Sequence, residues 1–170
     1  MRESQTNLAD KVYRWWCSLS EQGGKGHGPN LRGDRAKLRR AKVPADVYTN
    51  PSFHALLQSV AGEDPRDTEQ ARAVAVLAAV LAHVDNNAPG GFGRLCAMGK
   101  QPVVSELRFR RILEKETAPE LQAELTRTVR LLGRTADVKD LAFSVLFWTD
   151  ETRRHWAFEY FKTAKPKTKA

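Results

Sequence analysis

The densest concentration of cationic side chains in the sequence lies in residues 31–42. Six of these twelve residues are Arg or Lys, and the segment has a net charge of +5. On a helix, Arg35 and Arg39 share one face, and Lys37 and Arg40 are also close enough to share a face. Guanidinium groups bind phosphate oxygens through paired hydrogen bonds, so the segment predicts a phosphate-binding surface, with a solvated basic helix as the alternative. The candidate residues are Arg32, Arg35, Lys37, Arg39, Arg40 and Lys42.

A second group of cations comprises Lys100, Arg108, Arg110 and Arg111. Arg108 and Arg111 are three residues apart on a predicted helix and therefore lie on one side of it. Glu106 and Glu114 are close enough in sequence to pair with Arg110 or Arg111, which would weaken the positive field. We interpret this group as a second candidate phosphate contact.

Other chemistry is poorly represented. The four histidines show no spacing typical of a zinc site, and the Gly-rich residues 90–93 lack the GK[ST] ending of a phosphate-binding loop. We predict no catalytic residues, no metal site and no cofactor, and an enzyme fits the sequence poorly. The tryptophans fall on apolar helical faces, which favours core packing over base stacking. They are Trp15, Trp16, Trp148 and Trp156.

The composition indicates a globular chain with a polyanionic partner. The 170 residues are 41% hydrophobic and 28% charged, with a net charge of +8. A basic excess of this size favours nucleic acid, an anionic membrane face or an acidic protein. The first ten residues are polar, and the longest apolar stretch, residues 73–84, is too short to span a membrane. The two cysteines lack CxxC spacing, so we expect reduced thiols and a cytoplasmic location.

The dominant hydrophobic period is helical, and no stretch alternates as a strand would. Residues 71–84 are apolar nearly all round, which predicts a helix at the centre of the core. We therefore expect an all-α fold of seven to nine helices without significant sheet. The predicted helix caps are Asp34, Ser52, Ser105, Asp137 and Asp150.

The strongest turn cluster, residues 86–91, suggests a boundary between two helical-bundle lobes. We expect an N-terminal lobe over residues 1–88 and a C-terminal lobe over residues 89–164. The Lys-rich residues 165–170 are expected to be a disordered basic tail.

Several motifs occur in an ordered set. They are WWxxL at 15–19, RAxLRR at 35–40, GRL at 93–95, ELRFxxIL at 106–113, and a tryptophan at 148 followed by RRxWAxxY at 153–160. This set resembles the CasB family, the small subunit of the type I-E CRISPR effector complex Cascade, over about residues 8 to 161.

The resemblance implies a non-catalytic, all-α protein of two helical lobes that functions in antiviral defence. Family members assemble with the backbone and large subunits of Cascade and with a second copy of themselves. They help to hold the hybrid of guide RNA and target DNA and the displaced strand of the R-loop. The basic positions carried over by the matched motifs are Arg35, Arg39, Arg40, Lys100, Arg108 and Arg111; Arg32, Lys37 and Lys42 follow from charge density alone.

Two other functions remain open from the residues themselves. The first is a stand-alone protein that binds DNA or RNA without sequence preference, and it would bind tightly without partner subunits. The second is an adaptor whose basic face docks an acidic protein, and it would bind no nucleic acid above background.

Overall fold

The computed structural model describes residues 2–20, 31–61 and 68–164. The predicted loop over residues 21–30, the acidic loop over 62–67 and the basic tail over 165–170 lie outside the described residues.

The described residues form nine α-helices, one 3-10 turn and one pair of two-residue strands. The all-α prediction is confirmed, and the only departure from it is the small parallel pair of β1 and β2. The elements are α1 (Arg2–Leu19), α2 (Arg32–Arg40), a 3-10 turn (Pro44–Val47), α3 (Pro51–Ala61), α4 (Thr68–Leu81), β1 (Asn86–Asn87), α5 (Phe92–Ala97), α6 (Glu106–Leu113), α7 (Ala118–Leu131), β2 (Thr135–Ala136), α8 (Val138–Leu146) and α9 (Asp150–Thr163).

Helix α4 is the centre of the core, as its composition predicts. Every residue from Val74 to Val84 is buried. An α-helix that is apolar on all sides needs neighbours on all sides, and α4 packs against α2, α3, α7, α8 and the 3-10 turn. Its C-terminal end therefore lies among other elements, where its last carbonyl groups need partners within the protein.

The two predicted lobes share one hydrophobic core. Helix α1 packs against α8, and α4 packs against α7 and α8, so residues before and after the turn at 86–91 are in contact. The strand pair joins the same two parts, because Asn86 lies opposite Thr135 and Asn87 opposite Ala136. The division into lobes at residue 88 stays a prediction.

Three helix starts, those of α2, α3 and α9, differ from the sequence prediction. Helix α2 begins at Arg32, so the predicted cap Asp34 lies within its first turn. Asn50, not Ser52, caps α3: its side-chain oxygen accepts a hydrogen bond from the Ser52 backbone at 3.0 Å. The Ser52 hydroxyl instead donates to the Asp34 carboxylate at 2.6 Å, so neither residue of this pair acts as the predicted cap. Thr149 caps α9 in place of Asp150. The predicted caps at Ser105 and Asp137 are confirmed.

Candidate nucleic-acid interface

Two arginines of the basic segment bind the C-terminal end of α4. The last carbonyl groups of a helix lack partners within it and carry the negative end of the helix dipole, so they attract cations. Arg35 and Arg39 lie one turn apart on α2 and supply those cations. Their Nε atoms donate to the Ala82 carbonyl oxygen at 3.1 Å and 2.7 Å, and Arg35 also donates to the Val84 carbonyl at 3.1 Å.

The same two guanidinium groups share one carboxylate. Arg35 and Arg39 contact the Asp85 Oδ1 atom at 2.6 Å and 2.8 Å. Only 13% of the Arg35 side chain is exposed, against 33% for Arg39. Most of the Arg35 donors are therefore used within the fold. Phosphate binding by this pair stays a prediction, and the geometry gives both residues a structural role that the sequence did not indicate.

The end of the basic segment lines a groove between α2 and α7. This first groove has a volume of about 750 Å³. Arg40 and Lys42 are both exposed along it, and α7 contributes the opposite wall. The cations that line it are Arg39, Arg40, Lys42, Arg127 and Arg130.

A second groove runs between α6 and α7, with a volume of about 470 Å³. Arg108 and Arg111 of α6 line it together with Arg127 and Arg130 of α7, so the two grooves share the α7 arginines. Among the described residues that line either groove, Glu124 is the one acidic side chain, and it pairs with Arg127 at 3.0 Å. We define the basic surface as Arg39, Arg40, Lys42, Arg108, Arg111, Arg127 and Arg130.

The titration behaviour of two residues reports the positive field of this surface. The pKa of His83 is lowered to about 4, first by burial and then, in order of effect, by the nearby arginines Arg130, Arg39 and Arg134. Burial also lowers the pKa of Arg39, with Arg35 as the next cause. Cations thus crowd the first groove, which favours an anionic ligand over a neutral one.

Four predicted site residues line neither groove, and one of them is Arg35, which binds the end of α4. Arg32 and Lys37 are exposed on α2, and Lys100 is exposed in the turn after α5. A contact between any of them and phosphate stays a prediction. The expected pairing on α6 is present, because Arg110 contacts Glu106 at 2.6 Å. That pair leaves Arg108 and Arg111 as the α6 cations of the second groove.

Sequence reasoning missed the two arginines that connect the grooves. Arg127 and Arg130 belong to a stretch, residues 117–134, whose net charge is only +1, so charge density did not mark them. Their position on the helix could have indicated that they are exposed on one side. They are three residues apart on the side of α7 away from its buried residues Leu125 and Val129.

The rest of the described chain adds no metal site. Across residues 2–20, 31–61 and 68–164, no cluster of His, Cys, Asp or Glu could hold a metal ion. No helix in these ranges is both long and apolar enough to cross a membrane.

The fold and the basic surface together define a small all-α protein with a concave cationic face. The chain belongs to the CRISPR-associated protein Cse2 family, whose model matches residues 34–161. This match confirms the resemblance to the CasB family, since Cse2 and CasB denote the same subunit family. The matched range contains all but one of the nine predicted site residues, Arg32 lying just before it.

A solved structure has the same fold. One chain in the crystal structure of E. coli Cascade bound to a PAM-containing double-stranded DNA target is 19% identical to this chain, with a TM-score of 0.67. The similarity covers 91% of this chain and 97% of that chain. Comparison with curated proteins gives no match.

Proposed function

We propose that this protein is the non-catalytic small subunit of a cytoplasmic CRISPR Cascade complex and that its basic surface holds nucleic-acid backbones during antiviral defence. The bound strands would be the guide RNA–target DNA hybrid and the displaced DNA strand of the R-loop. Family membership and the fold shared with a chain of DNA-bound Cascade support the first part of this proposal.

The observation that carries the nucleic-acid part is the continuity of the basic surface. Two basic segments that are far apart in sequence, on α2 and α6, line grooves that meet at Arg127 and Arg130. A continuous cationic groove suits a polymer of regularly spaced phosphates better than it suits a small anion. Contacts to the backbone carry no sequence information, and none is needed where guide–target pairing reads the sequence.

Modest binding energy is enough for the proposed role. Replacing a DNA duplex by an RNA–DNA hybrid is close to balanced in free energy, so a few phosphate contacts shift the equilibrium toward the R-loop. Each neutralised phosphate releases condensed counterions, and binding should therefore weaken steeply as salt rises.

We extend the proposal to protein partners. The family resemblance implies contacts with the backbone and large subunits of Cascade and with a second copy of this chain. The basic surface would then form part of a longer nucleic-acid path through the assembled complex.

The test is a mobility-shift titration of the full chain with single-stranded RNA, single-stranded DNA and duplex DNA over a range of salt. We expect binding that weakens steeply with salt. A second experiment measures R-loop stability in assembled Cascade. One complex contains the unaltered chain, and the other contains the double variant Arg127→Ala, Arg130→Ala. An assembled complex whose R-loop is equally stable with this variant would contradict the proposed role of the surface. Assembly with an acidic protein but without nucleic-acid binding would favour the adaptor function.

A further inference from the structure

The floor of the first groove contains two buried polar side chains with uncommitted atoms. His83 lies just after α4 and is 3% exposed, and Gln122 lies on α7 and is 1% exposed. Both line the groove. Among the described residues, His83 Nδ1 and Gln122 Oε1 have no hydrogen-bond partner. Buried polar atoms in proteins nearly always have one, so two unpartnered atoms in one groove point to a ligand.

Both uncommitted atoms are hydrogen-bond acceptors. Gln122 uses its amide nitrogen to donate to the Ala41 carbonyl at 3.3 Å, which leaves Oε1 as the unpartnered atom. In a neutral imidazole one ring nitrogen carries the proton and the other accepts, so with the proton on Nε2 the unpartnered Nδ1 of His83 is an acceptor. The Arg39 backbone raises the pKa of His83 slightly against the larger effect of burial.

The imidazole also stays neutral where the protein would function. Its pKa of about 4 is far below neutral pH because the ring is buried among arginines. The floor therefore offers two acceptors, while the rim offers the cations Arg40, Lys42, Arg127 and Arg130. A ligand that matches both needs an anionic group and, beside it, a hydrogen-bond donor.

We propose that His83 and Gln122 form a nucleotide subsite, in which one nucleotide of a bound strand donates hydrogen bonds to His83 Nδ1 and Gln122 Oε1 while the rim cations hold its phosphates. The donor is a base amino group or a ribose 2′-hydroxyl. This inference rests on the proposed function and adds a chemical preference to a surface that otherwise contacts only backbones. Thymine and uracil match the floor poorly, because their single ring N–H lies between two carbonyl acceptors.

The test measures the affinity of the full chain for labelled oligonucleotides of equal length by fluorescence anisotropy. Oligo(dC) against oligo(dT) isolates the base amino group, and oligo(U) against oligo(dU) isolates the 2′-hydroxyl. We expect a preference of about tenfold for the first member of at least one pair, which is the size of effect that one additional satisfied buried group produces.

Variants of the floor should remove the preference without removing binding. Gln122→Met keeps the side-chain shape and loses the acceptor, and His83→Phe keeps a planar ring and loses the acceptor at Nδ1. We expect both variants to bind oligo(dT) as the unaltered chain does and to show no preference. Arg40→Ala should weaken binding to every oligonucleotide by the same factor, and Gln58→Met, on the exposed side of α3, should change nothing.

The outcomes separate the subsite from the proposed function. Equal affinities in both pairs, with binding intact, would overturn the subsite and leave backbone binding in place. Binding to none of the oligonucleotides would contradict nucleic-acid binding by the chain itself. A second readout avoids dependence on the variants: the ¹⁵N resonance of His83 Nδ1 should shift when the preferred oligonucleotide is added, and an unchanged resonance at saturation would overturn the proposal.

Discussion

Helices α2 and α7 both place arginines on the basic surface, but their sequences indicate this very differently. Residues 31–42, which include α2, have a net charge of +5, whereas residues 117–134, which include α7, have a net charge of only +1. In the structure, two α2 arginines, Arg35 and Arg39, bind the end of α4. The two α7 arginines, Arg127 and Arg130, line both grooves.

The contrast arises from what each helix packs against. The α2 arginines lie beside the C-terminal end of α4, where carbonyl groups without helical partners attract cations. Helix α7 packs against α4 through its apolar residues, which leaves Arg127 and Arg130 exposed on its other side. The density of charge along the sequence therefore does not predict the density of charge on the surface, because some of the charged side chains are used to stabilise the fold.

The largest expected effect is on α7. Arg127→Ala combined with Arg130→Ala should weaken nucleic-acid binding about 100-fold, since two charge-assisted contacts of about 1.5 kcal/mol each are lost. The slope of affinity against salt should fall by about 1.5 in logarithmic units. Mobility shifts over a salt series measure both quantities, and circular dichroism checks that the fold is retained.

The matched control removes two arginines from elsewhere on the surface. Arg72 and Arg154 are exposed and line neither groove of the basic surface. Arg72→Ala combined with Arg154→Ala changes the net charge by the same amount and should leave most of the affinity intact. An equal loss in both double variants would show that net charge, and not the α7 position, determines binding.

On α2 the first expected effect is on stability. Arg35→Ala removes hydrogen bonds to Ala82, Val84 and Asp85 and should lower the free energy of unfolding by about 2–3 kcal/mol. Arg40→Ala, at an exposed position of the same helix, should change it by less than about 0.5 kcal/mol. Urea unfolding measures both values. Equal stabilities of the two variants would contradict the division of α2 into structural and groove-lining arginines.

A smaller effect sharpens the comparison within α2. Arg40 and Lys37 are three residues apart and both exposed, but only Arg40 lines a groove. Arg40→Ala should weaken nucleic-acid binding about tenfold, the loss of one charge-assisted contact, while Lys37→Ala should leave it close to unchanged. If both variants lose affinity equally, the contact surface extends over all of α2, as the charge density of residues 31–42 predicted.

Local sequence patterns predicted the helices well, whereas contacts between residues distant in sequence could not be predicted. The apolar run at 71–84 predicted the central helix, because a helix that is buried on all sides must be apolar on all sides. The pair Arg108 and Arg111 was predicted from spacing on one helix, and both residues line a groove. Each of these inferences required only residues that are close in sequence.

Features formed between helices could not be predicted in this way. The acceptors at His83, just after α4, and Gln122, on α7, meet in one groove only because α4 packs against α7. The shift of the α3 cap from Ser52 to Asn50 has a similar origin, because Asp34 on α2 engages the serine hydroxyl. The sequence contains these residues but not the packing that joins them.

The titration of His83 tests whether α2 and α7 act on the same group. The pKa of His83 is about 4 in the folded protein and about 6.5 when unfolded, so the unfolded state binds the proton first as the pH falls. Stability associated with this residue is present above about pH 6.5 and is lost toward about pH 4. Between about pH 7.5 and pH 5.5 the free energy of unfolding falls by about 1.3 kcal/mol. Carboxylates titrate at the lower end of the same range, so the difference between unfolding curves of the unaltered chain and His83→Gln isolates the histidine.

The arginines that face His83 lie on three elements: Arg39 on α2, Arg130 on α7 and Arg134 in the turn that follows α7. Arg130 has the largest influence of the three, so Arg130→Ala should raise the pKa of His83, measured by NMR titration, more than removal of Arg134 does. Arg130 of α7 would then have the largest electrostatic effect on His83, although α2 has the higher density of positive charge in the sequence. A larger rise with Arg134→Ala would move the centre of the positive field away from α7 and toward the turn.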